Sequence, residues 1–141
     1  MKRTILLVED DENDVFFMKE AFRKAGIPNP ISVARDGQMA IDYLAGSGTF
    51  ADRNQHPIPS LILLDLKLPR VMGLDVLKAI RQEPKYIPVI VVTSSKYHTD
   101  IEQAYQRGAN AYLIKPTEGA KLVEIAKAIK DFWLAHNITP S

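Results

Sequence analysis

The sequence predicts a doubly wound α/β sandwich, a parallel sheet with helices on both faces. Three observations predict it. Five short apolar runs alternate with five stretches of helical period, the pattern of β-α units joined by right-handed crossovers. The run Ser60-Leu61-Ile62-Leu63-Leu64-Asp65 is continuously apolar before its carboxylate, as a strand buried on both faces is. The runs end in chemically useful residues, on the rim where open α/β folds bind ligands.

Each element follows in order. The first strand is roughly Thr4 to Val8. Asn13 or Asp11 could cap the next helix, whose apolar face is Val15, Met18, Ala21, Phe22 and Ala25. Gly26 supplies a left-handed C-cap and Pro28 blocks continuation. A short strand, Ile31 to Ala34, leads through Asp36-Gly37 into a helix with Met39, Ala40, Tyr43 and Leu44. The polar stretch Gly46 to Pro59 is long for a compact domain, so it is either functional or an elaboration.

The third strand ends at Asp65. The helix after Gly73 uses Leu74, Val76, Leu77 and Ile80, with Pro84 just beyond. The fourth strand is Val89 to Val92, ending at Thr93. Thr99-Asp100-Ile101-Glu102 reads as a capping box, with Thr99 as N-cap and Glu102 reaching back, on a helix that stops at Gly108. The fifth strand is Ala111 to Ile114, followed by Lys115-Pro116. The last helix runs from about Glu118 to about Ala135, with Leu122, Ile125, Ala126, Ile129, Phe132 and Trp133.

Composition narrows the function. The 141 residues fit one domain, 1–141, and no second domain fits after Trp133. Apolar content of 46% and charged content of 25% are ordinary for a globular chain. A net charge of +1 gives no electrostatic case for nucleic acid or an acidic membrane surface. The absence of cysteine excludes disulfides and thiolate chemistry. The apolar run after Met1-Lys2-Arg3-Thr4 is too short for a signal segment or membrane span, so a cytoplasmic location is expected.

The chemistry lies at the strand ends. Glu9 and Asp10 follow the first strand, Asp65 the third, Thr93 and Ser94 the fourth, and Lys115 the fifth. Three carboxylates on one rim repel each other unless a cation sits among them, and an all-oxygen site suits Mg²⁺. Phosphoryl transfer to a carboxylate fits this set. Asp65 would be the nucleophile, with Mg²⁺ neutralising the phosphoryl oxygens and Thr93 and Lys115 binding them afterwards.

The order Glu9-Asp10, Asp65, Thr93, Lys115-Pro116, each on its strand end, resembles the receiver domains of two-component response regulators over essentially the whole chain. The resemblance implies a flavodoxin-like, CheY-like sandwich with strand order 2-1-3-4-5 and no output domain. It implies phosphorylation of Asp65 by a sensor histidine kinase, with Mg²⁺ held by Asp10, by Glu9 through water, by Asp65 and by the Lys67 backbone carbonyl. Thr93 and Lys115 would sense the phosphoryl group, Tyr112 would be the aromatic switch, and the Lys115-Pro116 bond would be cis. Catalysis would be limited to the chain's own phosphorylation and dephosphorylation. Lys67 and Ser95 occupy the positions that tune dephosphorylation.

The long Gly46–Pro59 loop and the ending Asp131-Phe132-Trp133-Leu134 resemble the small regulators paired with bacterial and cyanobacterial phytochromes. That likeness implies a homodimer or partner surface on the fourth helix, fifth strand and fifth helix, carrying Tyr105, Tyr112, Phe132 and Trp133.

Plainer readings stand beside these. Asp11 and Glu12 are a solvated acidic helix start. Tyr112 is divided evenly between packing and switching. His56, His98 and His136 are read as solvated, with no catalytic role. A Mg²⁺-dependent aspartyl phosphatase usually has a second Asp two residues after its nucleophile, where Lys67 stands here. A flavin module needs a phosphate cradle where the acidic Glu9-Asp10-Asp11-Glu12 lies. A phosphorelay intermediate serving a histidine phosphotransfer protein stays open.

Overall fold

The computed structural model describes residues 3–83 and 85–139. Pro84, expected to stop the third helix, lies outside the described residues. Strands and helices alternate as β1 (Ile5–Val8), α1 (Glu12–Lys24), β2 (Ile31–Ala34), α2 (Gly37–Ala45), β3 (Leu61–Leu64), α3 (Gly73–Gln82), β4 (Val89–Thr93), α4 (His98–Gln106), β5 (Ala111–Ile114) and α5 (Gly119–Ile129). A short 3₁₀ turn, Gly48–Phe50, sits after α2, and a π-helical turn, Lys130–Leu134, prolongs α5.

The five strands pair in parallel in the order β2-β1-β3-β4-β5, as the resemblance implied. Alternation along the strands decides which helices cover which face. Leu6, Val8, Ile62, Leu64, Val89 and Val91 pack under α2, α3 and α4, against Tyr43, Leu77, Ile80 and Ala104. Ile5, Leu7, Leu61, Leu63, Ile90 and Val92 pack under α1 and α5, against Val15, Met18, Phe22 and Ile129. With both faces covered, every residue of β1, β3 and β4 is buried, so those runs carry no polar alternation.

Local signals resolve several expectations. Asp11 is the N-cap of α1, and its side chain accepts from the backbone N–H groups of Asn13 and Asp14. Gly26 adopts φ 76° just beyond the α1 C-cap. The Gly46–Pro59 stretch is tied down by Arg53, whose guanidinium donates to the carbonyls of Tyr43, Leu44 and His56. His56 is half-buried, its ring edge-on to Tyr43 and Phe50 at 5.8 and 5.0 Å, which corrects its reading as solvated.

The capping box is also corrected. α4 begins at His98, two residues earlier than that box requires, with Tyr97 at the N-cap and no side-chain cap. Thr99 is therefore inside the helix. Glu102 pairs with His98 at 2.7 Å instead of reaching back. Asp100 is held by the Ser95 hydroxyl at 2.5 Å, so the loop's serine anchors the first turn.

Two close approaches tie the helices to the two edges of the sheet. Arg81 of α3 donates to the carbonyls of Gly108 and Ile87 and to Asn110 Oδ1. Gly73, at the start of α3, lies against the turn after β3. A Cβ there would come within 2.4 Å of Leu66 Cα and 2.5 Å of the Asp65 carbonyl oxygen. Gly73→Ala should therefore cost about 1–3 kcal/mol by overpacking. Gly119→Ala, where a Cβ meets nothing within 4 Å, should be neutral or slightly stabilising. Urea denaturation of both variants checks this; equal stabilities would rule out the steric constraint at Gly73.

Candidate functional site

Sheet register brings the site residues together. Val8 pairs with Leu64, Leu64 with Val91, and Thr93 with Ile114. Glu9, Asp65, Thr93 and Lys115 therefore occupy the same edge of four strands that are neighbours in the sheet. Backbone bonds hold the residues just past the strand ends: Glu9 N–H to Ala34 O at 3.0 Å, Asp65 N–H to Val8 O at 3.0 Å, and Lys115 N–H to Thr93 O at 2.8 Å. A strand-end carboxylate fixed this way has little freedom to turn away from the pocket.

The Lys115 ammonium is the centre. It donates to Glu9 Oε1 at 2.5 Å, Asp65 Oδ2 at 2.7 Å and Asp14 Oδ2 at 2.8 Å. A lysine ammonium has three hydrogens, and here all three have carboxylate acceptors. Glu9 and Asp65 are buried, at 3% and 6% exposure, and Asp10 is exposed on the rim. The other Asp65 oxygen, Oδ1, accepts from the Lys67 backbone N–H at 3.2 Å.

Burial sets the charge balance. It pulls the Lys115 ammonium towards deprotonation, but the bonds from Asp14, Asp65 and Glu9 outweigh it and hold the pKa above the ordinary lysine value. Burial pushes the Glu9 carboxyl up to about 7, a rise opposed by Lys115 and reinforced by the charge of Asp65. Three carboxylates, Glu9, Asp14 and Asp65, share one ammonium, and Asp10 stands beside them on the rim, so the carboxyl groups outnumber the cation.

One oxygen each from Glu9, Asp10 and Asp65 lies within 4.8 Å of the others. This hard-oxygen set fits a divalent cation such as Mg²⁺.

The neighbouring loop is wired to the site. Thr93 is fully buried, and its Oγ1 accepts from Ser95 N–H at 3.5 Å. The Tyr112 hydroxyl donates to the Ser95 carbonyl at 2.9 Å, and its ring packs beside the α2–α4 face of the core. Tyr112 thus packs and also bonds the loop that follows Thr93.

The residues expected at an interface lie outside this pocket. Tyr105 and Phe132 are exposed, and Trp133 is half-buried against the α1–α5 core, with the Phe132 ring edge-on at 5.0 Å. The Lys115-Pro116 bond corrects the expectation of a cis peptide: no cis bond is present among the described residues. Lysine's long stem carries the ammonium to all three carboxylates from a trans backbone.

Asp14 was missed by the sequence reading. It sits four residues before buried Met18 on α1, and that spacing puts it on the inward side of the helix, a signal the first-turn acidic run obscured.

A carboxyl whose folded pKa lies above its unfolded value costs stability as it ionises. With no metal bound, the Glu9 contribution should therefore be lost as pH rises from 4.5 through about 7. Denaturation in the presence of a chelator across that window checks it: Glu9→Gln should gain on wild type as pH rises. A variant that tracks wild type at every pH would assign the dependence to another group.

Comparison with known proteins agrees with the geometry. The response regulator receiver domain model matches residues 5–127. A probable methanogenesis regulatory protein, FilR2, of Methanothrix harundinacea is 37% identical over 138 residues, 96% of this chain and 86% of that protein. The response regulator Rcp1 of Synechocystis is 37% identical over 134 residues, 94% of this chain and 89% of its own. Its Mn²⁺-bound crystal structure superposes with a TM-score of 0.86 at 35% identity, covering 99% of each chain. The phosphorylated cyanobacterial phytochrome response regulator RcpA superposes at 0.91 with 36% identity over 100% of both chains. The chain belongs to the response regulator receiver domain family of two-component signalling.

Proposed function

We propose that this receiver takes a phosphoryl group on Asp65 from a sensor histidine kinase and uses the acyl phosphate to switch a protein-contact surface. The observation that carries the reading is the Lys115 ammonium, bonded at once to Asp65 Oδ2 and Glu9 Oε1 beside Asp10. Catalysis is confined to the chain's own phosphorylation and dephosphorylation.

In this reading a carboxylate oxygen of Asp65 forms the O–P bond as the P–N bond of a phosphohistidine breaks, and the electron pair returns to the imidazole. Glu9, Asp10 and Asp65, with the Lys67 carbonyl, hold Mg²⁺. When bound, the ion supplies neutralisation of the phosphoryl oxygens. Lys115 exchanges a carboxylate partner for a phosphoryl oxygen, and the Thr93 hydroxyl binds another. Drawing Thr93 in releases the Ser95 N–H and loads the Tyr112 bond, which biases an existing equilibrium of α4, β5 and α5.

The kinase is of the phytochrome class. This rests on the likeness to RcpA, named as a phytochrome response regulator. The surface is the α4-β5-α5 face with Tyr105, Tyr112, Phe132 and Trp133, and its occupant is a second copy or a downstream protein. The exposure of Tyr105 and Phe132 supports this choice.

Intact mass after incubation with acetyl phosphate, with and without Mg²⁺, tests the site. Wild type should gain one Mg²⁺-dependent phosphoryl group and Asp65→Asn none, with the fold retained by circular dichroism. An adduct on the mutant at the same rate would move the acceptor elsewhere. For the surface, Trp133→Ala should shift any dimer towards monomer in sedimentation across concentrations; an unchanged dissociation constant would remove Trp133 from the interface.

A further inference from the structure

Asp14 stands apart from the other acids around Lys115. Its Oδ2 accepts from the Lys115 ammonium at 2.8 Å, yet it is not in the metal-competent set of Glu9, Asp10 and Asp65. It also comes from α1, whereas Glu9 and Asp65 directly follow strand ends. Glu9 and Asp65 each have two claimants, the ammonium and any cation bound at the rim. Asp14 has only the ammonium.

A carboxylate in the first turn of a helix is ordinary, since it complements the exposed N–H groups there. Glu12 fits that account, with its side chain 79% exposed and bonded to Arg35 at the surface. Asp14 is only 40% exposed and turns inward to the ammonium. Its backbone N–H is already satisfied by the Asp11 cap. The helix start therefore explains the charge but not the direction of the side chain. Asp14 also lines, with Phe17, Met18, Pro116 and Leu122, the cleft between α1 and the loop after β5, so it bridges that cleft through Lys115.

We propose that Asp14 is a positioning residue: it tethers the Lys115 ammonium at the pocket when Glu9 and Asp65 turn to other partners, and so keeps Lys115 aimed at the incoming phosphoryl group. The proposal rests on the phosphoryl-acceptor reading above. Two of the three lysine hydrogens go to oxygens that the reaction needs. The third goes to an oxygen that takes no part in it. The tether keeps a long, flexible side chain in place while its other bonds change.

The test measures phosphoryl incorporation from acetyl phosphate by intact mass at saturating Mg²⁺, on the full chain. Asp14→Asn keeps the side chain's shape and removes its charge. It should slow incorporation by about fivefold at saturating donor, as loss of a partly exposed ion pair allows, with donor KM little changed. In a Lys115→Met background the same substitution should have no further effect, because its target is gone. Glu12→Gln, which removes the other first-turn carboxylate, should leave the rate at the wild-type value.

Three results would overturn the proposal while leaving the functional reading standing. They are a competent wild type matched by Asp14→Asn, an Asp14→Asn effect of equal size in the Lys115→Met background, and a Glu12→Gln variant slowed as much as Asp14→Asn. A folded wild type that accepts no phosphoryl group from acetyl phosphate or phosphoramidate would bring down the reading and the proposal together. Circular dichroism on each variant separates a lost tether from a lost fold.

Discussion

One ammonium among carboxylates organises this molecule. Lys115 follows β5, Glu9 follows β1, Asp65 follows β3 and Asp14 lies on α1, and three hydrogen bonds of 2.5 to 2.8 Å join them. Glu9 and Asp65 are too buried to be left as lone charges, since removing one partner of a buried pair strands the other. Yet the cation does not balance the site. Burial pushes the Glu9 carboxyl up to about 7, and the neighbouring charge of Asp65 adds to the rise. The surplus negative charge is the electrostatic reason a divalent cation would be welcome there. A bound cation would compete with the lysine for the oxygens of Glu9 and Asp65.

That arrangement needs the sheet to be parallel. In a parallel sheet all strand C-termini lie on one edge, and right-handed crossovers bury both faces. The core here is split into two layers by the strands' own alternation, which leaves the rim as the place where charged residues collect without a polar residue inside the core. Rigidity comes from the same source. The backbone ladder runs one residue past β1, β3 and β5, into Glu9, Asp65 and Lys115. Gly73 lets α3 press against the turn carrying Asp65. Asp65 is thus mounted on packed elements, while the residues between β4 and α4 are held by side-chain bonds.

Sequence carried the rim well and the loops poorly, for physical reasons. Strand ends are legible because a continuous apolar run has an unmistakable finish, and Asp65 stands at one. Asp14 was hidden because an acid in a helix's first turn already has a sufficient local explanation. Its inward direction depends on Lys115, 101 residues away. The Thr99 capping box failed for the mirror reason: the local pattern was right, but a serine outside the helix bonds Asp100 and the helix starts two residues earlier. His56 looked solvated in a polar stretch, and only the Arg53 clamp brings it between Tyr43 and Phe50. Long-range partners decide all of these, and local pattern cannot supply them.

Ser95 shows how a small change at the rim can be felt by a helix. Its N–H donates to Thr93 Oγ1, its hydroxyl donates to Asp100 and accepts from Tyr97 N–H, and its carbonyl accepts from the Tyr112 hydroxyl. Four contacts to four residues meet in one buried serine. The longest is the one to Thr93, at 3.5 Å, which makes it the weakest of the four. The Asp100 bond, at 2.5 Å, ties the serine to the first turn of α4. At the other end, the loop after α4 is clamped by Arg81 to Gly108 O and Asn110. α4 is thus held at its C-terminal end by Arg81 and at its first turn by the Ser95 hydroxyl. The bonds that link Thr93 to α4 therefore all lie at its first turn, beside Tyr112, while the Arg81 clamp lies at the opposite end of the helix.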